Sequence, residues 1–403
     1  MRRVLRMLIA VWKFLVGILL CQTAVASVLV VGWTYRLMQR SALKAWWRAA
    51  DGEGDFESFL QGDPAIAGHV DNPNWLAAQR PSASLRQRWA AASGLRKKLR
   101  AAASILVGSL AQNLRVGVAG VFNTWVITIL PVTLWAFGWY TGWNNSFTKG
   151  YEQYYVGILI SWIGIALFIG AMIYLPMAQA RHAVTGEWKS FYQFRVVRLL
   201  VRRRAMACLV LAGAYSLASL PVSILITAPL FFEQGNPRFV DMSDAELLAA
   251  LNVWFRFTAA VGFIAFVGLR VIGARVYAGA VAATVRDGSL AIEELRPIEL
   301  NALARLGMDL VEPKPKAHAA IRVARTASRP VWRTSVVLAT VVIWFSFVAQ
   351  IYVREFLNYH PVRGFMNQPL VQLPWFRYVP DHLEASARSS IEDLASSRAS
   401  QHQ

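Results

Sequence analysis

Six stretches of the chain are apolar almost without interruption, and polar residues gather between them. The runs are 14–35, 116–140, 154–180, 205–232, 251–276 and 334–353. Each has about the roughly 20 residues a helix needs to cross a ~30 Å hydrocarbon layer. In that medium every backbone N–H and C=O must be paired internally, so long uncharged segments become helices. The pattern predicts an all-α, polytopic membrane protein with about six transmembrane helices. Trp and Tyr collect at several run ends (Trp33 and Tyr35, Trp139 and Tyr140, Tyr154 and Tyr155), where amphipathic rings mark the head-group level.

Composition agrees with a lipid solvent. Of 403 residues 56% are hydrophobic and only 16% charged, with a mean hydropathy of +0.38. The net charge is +19. In a soluble protein that excess would point to nucleic acid. Here the basic residues cluster at the ends of apolar runs, which points instead to anionic lipid head groups and to retention of basic loops on the cytoplasmic side. The expected partners are therefore membrane lipids and a protein partner in the membrane, with no nucleic acid. Basic residues are mostly Arg (34 against 8 Lys), which associates the chain with a GC-rich bacterial genome and an inner (plasma) membrane. Cys21 and Cys208 each lie inside an apolar run and read as packing residues; there is no zinc spacing or disulfide framework.

Charge also sets an expected orientation. Segments 36–115, 181–204 and 275–333 hold 29 Lys and Arg, whereas 141–153, 233–256 and 354–403 hold 8. Lysine and arginine favour the cytoplasmic side. The chain then divides into a first spanning helix over 14–35, a basic cytoplasmic loop over 36–115, a five-helix bundle over 116–353 with cytoplasmic loops 181–204 and 275–333, and an external tail over 354–403. The first run is balanced: Arg2, Arg3, Arg6 and Lys13 precede it, and Arg36, Arg40, Lys44 and Arg48 follow it. Alternation puts the N-terminus outside; the rival is a re-entrant element near 101–114 that changes the parity. Ala24-Val25-Ala26 has a cleavage-site pattern, but apolar character continues through Gly32, so the run reads as an uncleaved anchor.

The loops offer weak chemistry. Within 84–114, Leu85, Trp89, Leu95, Leu99, Leu106, Leu110 and Leu114 recur at helical spacing beside Arg86, Arg96, Lys97, Lys98 and Arg100. That is the pattern of a basic amphipathic helix lying on the membrane, or of a soluble helix packed on other loops. The acidic stretch 51–55 lacks the ligand spacing of a calcium loop. The six histidines are scattered, so neither a metal nor any other cofactor is expected. The hairpin at 142–152 brings Trp143, Asn144, Asn145, Lys149, Tyr151 and Glu152 together beside the membrane. Those groups suit a head group or peptide partner; equally, they suit a turn with interfacial anchors.

Inside the runs there is no Asp or Glu. Apart from Arg275 at the very end of its run, the charged exceptions are Arg256 and Arg270, about 21 Å apart along a helix axis. Each would lie near one end of the span and snorkel to its own interface, or one would face the bundle and hold an anionic ligand. Pro131, Pro176, Pro221 and Pro229 would kink helices, and Gly157, Ser161, Gly164, Ala259 and Gly262 would let them pack closely. With no catalytic motif in sight, the reading is a non-enzymatic protein acting through protein or lipid contacts, in a scaffold or assembly role. The alternative is a carrier or channel for a small or lipid-like solute, with a mid-membrane cavity lined by groups such as Asn123 and Thr124.

Overall fold

The computed structural model describes residues 2–52, 54–62, 66, 94–138, 154–311, 319–356 and 366–379, with isolated positions at 383, 385, 386 and 389. Among them every regular element is helical. The helices are α1 (Arg2–Leu20), α2 (Ala24–Ala49), α3 (Phe56–Gln61), α4 (Leu95–Gly138), α5 (Tyr154–Thr185), α6 (Trp188–Phe191), α7 (Phe194–Arg203), α8 (Ala205–Thr227), α9 (Asp244–Arg286), α10 (Pro297–Arg305) and α11 (Ala319–Phe356). Five of these long elements can cross a membrane by length and apolarity, and the N-terminal part of the chain adds a shorter apolar helix over Met7–Leu20.

The first run is not one span. It breaks at 21–23, where α1 closes with Cys21 N–H donating to the Gly17 carbonyl at 3.0 Å. Thr23 then adopts an extended conformation, and its hydroxyl accepts from Ala26 N–H at 3.3 Å, capping α2. The two helices fold back on each other. Phe14 of α1 and Trp33 of α2 both lie 6.0 Å from the ring of Phe263. Gln22, at the turn, reaches the Phe255 carbonyl at 3.4 Å, about two helical turns before Phe263 on α9. The pair is a hairpin whose two open ends share one side of the molecule, so the single helix over 14–35 with its N-terminus opposite the basic loops is corrected. Trp33 and Tyr35, read as interfacial anchors, are buried within the bundle.

The second difference concerns 84–114. Residues 84–93 lie outside the described part, and 95–114 is no separate surface helix but runs unbroken into the span as α4. It crosses α2 at very close range: a Cβ at Gly32 would overlap the Asn113 carbonyl, and one at Gly117 would overlap the Val28 carbonyl. In lipid, apolar contact between helices gives little drive, and close backbone approach through small residues takes its place. The same device joins α4 to α5, where Gly138 faces Ser161 and Gly164 faces the Pro131 carbonyl.

The ends of α2, α5 and α9 meet the start of α4, α8 and α10 at one end of the bundle, which carries most of the Lys and Arg. Here α10 is locked down by a buried ion pair, Arg181 Nε to Glu299 Oε1 at 3.6 Å. Tyr277 of α9 donates to the same carboxylate, and Arg181 Nη2 donates to the Glu294 carbonyl at 2.8 Å. Arg305 of α10 donates to the Phe59 carbonyl of α3 at 2.6 Å, and Arg40 pairs with Glu57. Trp46 Nε1 donates to the Ala278 carbonyl at 2.8 Å, fixing α2 to α9. At the rim lies α11, packed on α8 and touching α5 through Trp162–Trp344 at 4.9 Å and Phe168–Phe347 at 5.3 Å.

Candidate functional site

Beyond α11, the described part of the tail packs into the bundle. Residues 366–379 turn back into the bundle as an irregular strand of backbone, with Leu370, Val371, Gln372, Phe376 and Tyr378 buried. Irregular backbone at membrane depth requires protein partners for its polar groups. They are present. Gln372 folds over its own turn, its Oε1 accepting from Gln368 N–H at 2.7 Å and its Nε2 donating to Thr128 Oγ1 of α4 at 2.7 Å. The Val371 carbonyl at the tip accepts from Arg270 Nη2 at 3.0 Å and from Gln179 Nε2 at 3.4 Å. From there the segment climbs along α9: the Phe376 ring sits where Gly262 has no side chain, Phe376 N–H donates to the Cys21 carbonyl at 3.2 Å, and Arg377 Nε donates to Asn252 Oδ1 at 3.0 Å.

The centre of this arrangement is Arg270. Its side chain is 1% exposed, so it faces the bundle and does not snorkel. Arg256, fourteen residues earlier on α9, is exposed. The Arg270 guanidinium lies 4.1 Å from the Phe266 ring and 5.6 Å from the Tyr35 ring. Around it stand Tyr35, Tyr215 of α8, and Thr124 with Gln179, which are joined by a 3.0 Å hydrogen bond. His182 packs edge-on to Tyr35 at 5.5 Å and holds the Glu187 carbonyl at 3.0 Å through Nδ1.

The polar residues proposed as cavity lining are engaged with protein groups: Asn123 accepts from the Tyr192 hydroxyl at 2.9 Å, and Thr124 is taken by Gln179. The hairpin residues Trp143, Asn144, Asn145, Lys149, Tyr151 and Glu152 lie outside the described residues. Sequence reading allowed the Pro- and aromatic-rich tail to dock across the outer face of the bundle or onto a partner; what it missed is the tail's burial among the helices. Its amides, Asn367, Gln368 and Gln372, are a signal of buried polar pairing, but nothing local to them names Arg270 as the partner.

A second set of groups lies at the basic end. On α7, Val196, Val197 and Leu200 are buried while Phe194, Arg195, Arg198 and Arg202 face outward. They line a cleft of ≈ 530 Å³ together with Ser289 and Glu294. Arg195 pairs with Glu294 at 3.5 Å, leaving Arg198 and Arg202 toward the opening. A further cleft of ≈ 410 Å³ is lined by Ser41, Lys44, Arg48 and Arg275. This basic amphipathic helix, distinct from the one expected over 84–114, lies within 181–204, a segment read as loop.

No family model, curated protein or solved structure matches the chain. Fold and site define it by class: a multi-pass helical membrane protein with an arginine at its centre and its own tail packed against that arginine.

Proposed function

We propose that the chain works through contacts, holding anionic lipid head groups at the basic end of the bundle in a scaffold or assembly role within a bacterial inner membrane. The observation that carries this reading is the α7 cleft. An amphipathic helix seats its apolar side on the bundle and turns arginines toward an opening flanked by exposed Phe194. Each Lys or Arg near an anionic surface contributes about 1 kcal/mol, so a few such side chains suffice to hold a head group. The basic end is then the cytoplasmic side. With the α1–α2 hairpin in place, Arg2, Arg3, Arg6 and Lys13 join that side and the charge rule has no exception at the first run.

Native mass spectrometry of the protein released from mild detergent tests this. Wild type is expected to retain phosphatidylglycerol or cardiolipin in preference to zwitterionic lipid, and Arg198→Gln with Arg202→Gln is expected to lose most of that preference. Equal retention by both proteins would contradict it. A stoichiometric protein partner in the same sample would extend the reading to assembly.

A carrier for a small solute is the second reading. It is favoured by one observation, the charge of Arg270 held deep in the bundle.

A further inference from the structure

The second cleft at the basic end, of ≈ 410 Å³, lies between α2 and α9. Ser41, Lys44, Ala45, Arg48 and Ala49 of α2 line it together with Arg275 of α9. Lys44 and Arg48 are four residues apart, so they share one face of their helix. A fixed contact between the two helices brings Arg275 to the same place. Trp46 is 1% exposed; its Nε1 donates to the Ala278 carbonyl at 2.8 Å, and its ring lies 6.3 Å from that of Tyr277. Arg275 stands about one helical turn before Ala278. The side chains of Lys44, Arg48 and Arg275 are all exposed. Ser41 turns its hydroxyl back to the Leu37 carbonyl at 2.7 Å, so the donors in the cleft are the three cations.

These cations have no acid to face. No carboxylate lines the cleft, and among the described residues none of the three takes part in a salt bridge. Lys44 has a ring contact only, 5.8 Å from the centre of Phe56. Elsewhere in the bundle Arg40 is matched with Glu57, Arg181 with Glu299, Arg195 with Glu294, Arg203 with Asp287 and Arg296 with Glu187. Like charges one turn apart on a helix repel, and a third cation opposite adds to that. An anion seated between them reverses the sign of all these terms.

We propose that the α2–α9 cleft is a binding site for a phosphomonoester group, held by Lys44, Arg48 and Arg275. Two guanidinium groups offer planar pairs of donors that match phosphate oxygens, and the ammonium adds a point charge. The volume is within the roughly 300–1,000 Å³ of small-molecule sites, so the group that carries the phosphate has room as well. No side chain larger than alanine offers an apolar surface in the lining, so recognition rests on the charged group. The α7 cleft differs in this respect, since Phe194, Val196 and Leu199 line it beside its arginines. The two clefts share no lining residue, and the site does not depend on lipid binding at α7.

The test is equilibrium binding of radiolabelled inorganic phosphate to the full chain in phosphatidylcholine nanodiscs. It is run in an Arg198→Gln, Arg202→Gln background, which takes the α7 cleft out of the measurement. That background is expected to bind phosphate saturably, close to one per chain. Adding Arg275→Gln should weaken binding roughly tenfold or more, the factor for losing a hydrogen bond to a charged group. Adding Lys44→Gln with Arg48→Gln should abolish it; if that chain does not assemble, Arg275→Gln decides. Absence of saturable binding in the background, or unchanged affinity with Arg275→Gln, would overturn the site. Displacement by an equal concentration of chloride would overturn the phosphate class. Two arms separate the sources of the group. Displacement by glycerol 3-phosphate marks a water-soluble ester, and loss of binding in discs that contain phosphatidic acid marks a lipid head group. Displacement by neither would overturn the phosphomonoester assignment.

Discussion

Two buried arginines are handled in opposite ways. Arg181 has a carboxylate, Glu299, which also accepts from Tyr277, so its charge is neutralised inside the protein. Removing one partner of such a pair leaves the other charged and unsolvated, at a cost of about 3–5 kcal/mol. Glu299→Gln should therefore lower thermal stability in detergent sharply. Arg195→Gln, which breaks the exposed pair with Glu294, should leave the melting temperature unchanged within error. An equal effect of the two substitutions would contradict the buried ion pair. Arg270 was legible in the sequence as a charge within an apolar run, but its direction was not. Position along a helix tells how deep a residue lies, whereas the face it presents depends on neighbours far away in sequence. Tyr35 illustrates the converse: a ring at the end of an apolar run reads as an interfacial anchor, yet the fold-back of α1 and α2 carries it into the core.

At the scale of elements, the five long spans were legible because they are set by chain-local apolarity. Their turns were harder. The break at 21–23 consists of two polar residues, Gln22 and Thr23, in an otherwise apolar run, and Thr23 is a good helix cap. A run of 22 residues satisfied the length criterion for a span, and that hid the break. The hairpin makes a topological prediction. A cysteine introduced at Val4, in a chain with Cys21→Ser and Cys208→Ser, should react with an impermeant maleimide only from the side on which Arg198→Cys reacts. Labelling from opposite sides would restore a single crossing over 14–35. Close packing at the α2–α4 crossing makes another. Gly32→Ala should destabilise strongly, because its Cβ meets backbone that cannot move aside, whereas Gly108→Ala, with open space around it, should be neutral or slightly stabilising. Similar melting temperatures for the two variants would contradict the crossing. The helix α7 was readable in principle from the alternation of Val196, Val197 and Leu200 with Arg195, Arg198 and Arg202. Ten residues is short, and the basic cluster drew attention to charge instead of periodicity.

For the whole molecule, the decisive feature is that the chain closes its own interior. Spanning helices arrange polar groups around Arg270, and a segment beginning about ten residues past the last helix fills the space between them. Non-helical backbone survives at that depth because Gln179, Arg270 and Cys21 pair its polar groups, while Thr128 and Asn252 hold the side chains of Gln372 and Arg377. No periodicity in the tail encodes this, since its order comes from side-chain and main-chain partners on α4, α5 and α9. The docked tail also predicts protection: Gly262→Leu should push Phe376 out of its place on α9 and render the tail sensitive to protease added at the end opposite the basic loops, while wild type resists. The most direct test is a cross-link in the native membrane between Thr128→Cys and Gln372→Cys, in a chain whose own cysteines are replaced by serine. A docked tail predicts efficient joining by a short bifunctional thiol reagent, with both positions shielded from impermeant maleimide beforehand. Free labelling of Gln372→Cys from the aqueous phase, with no cross-link formed, would contradict it.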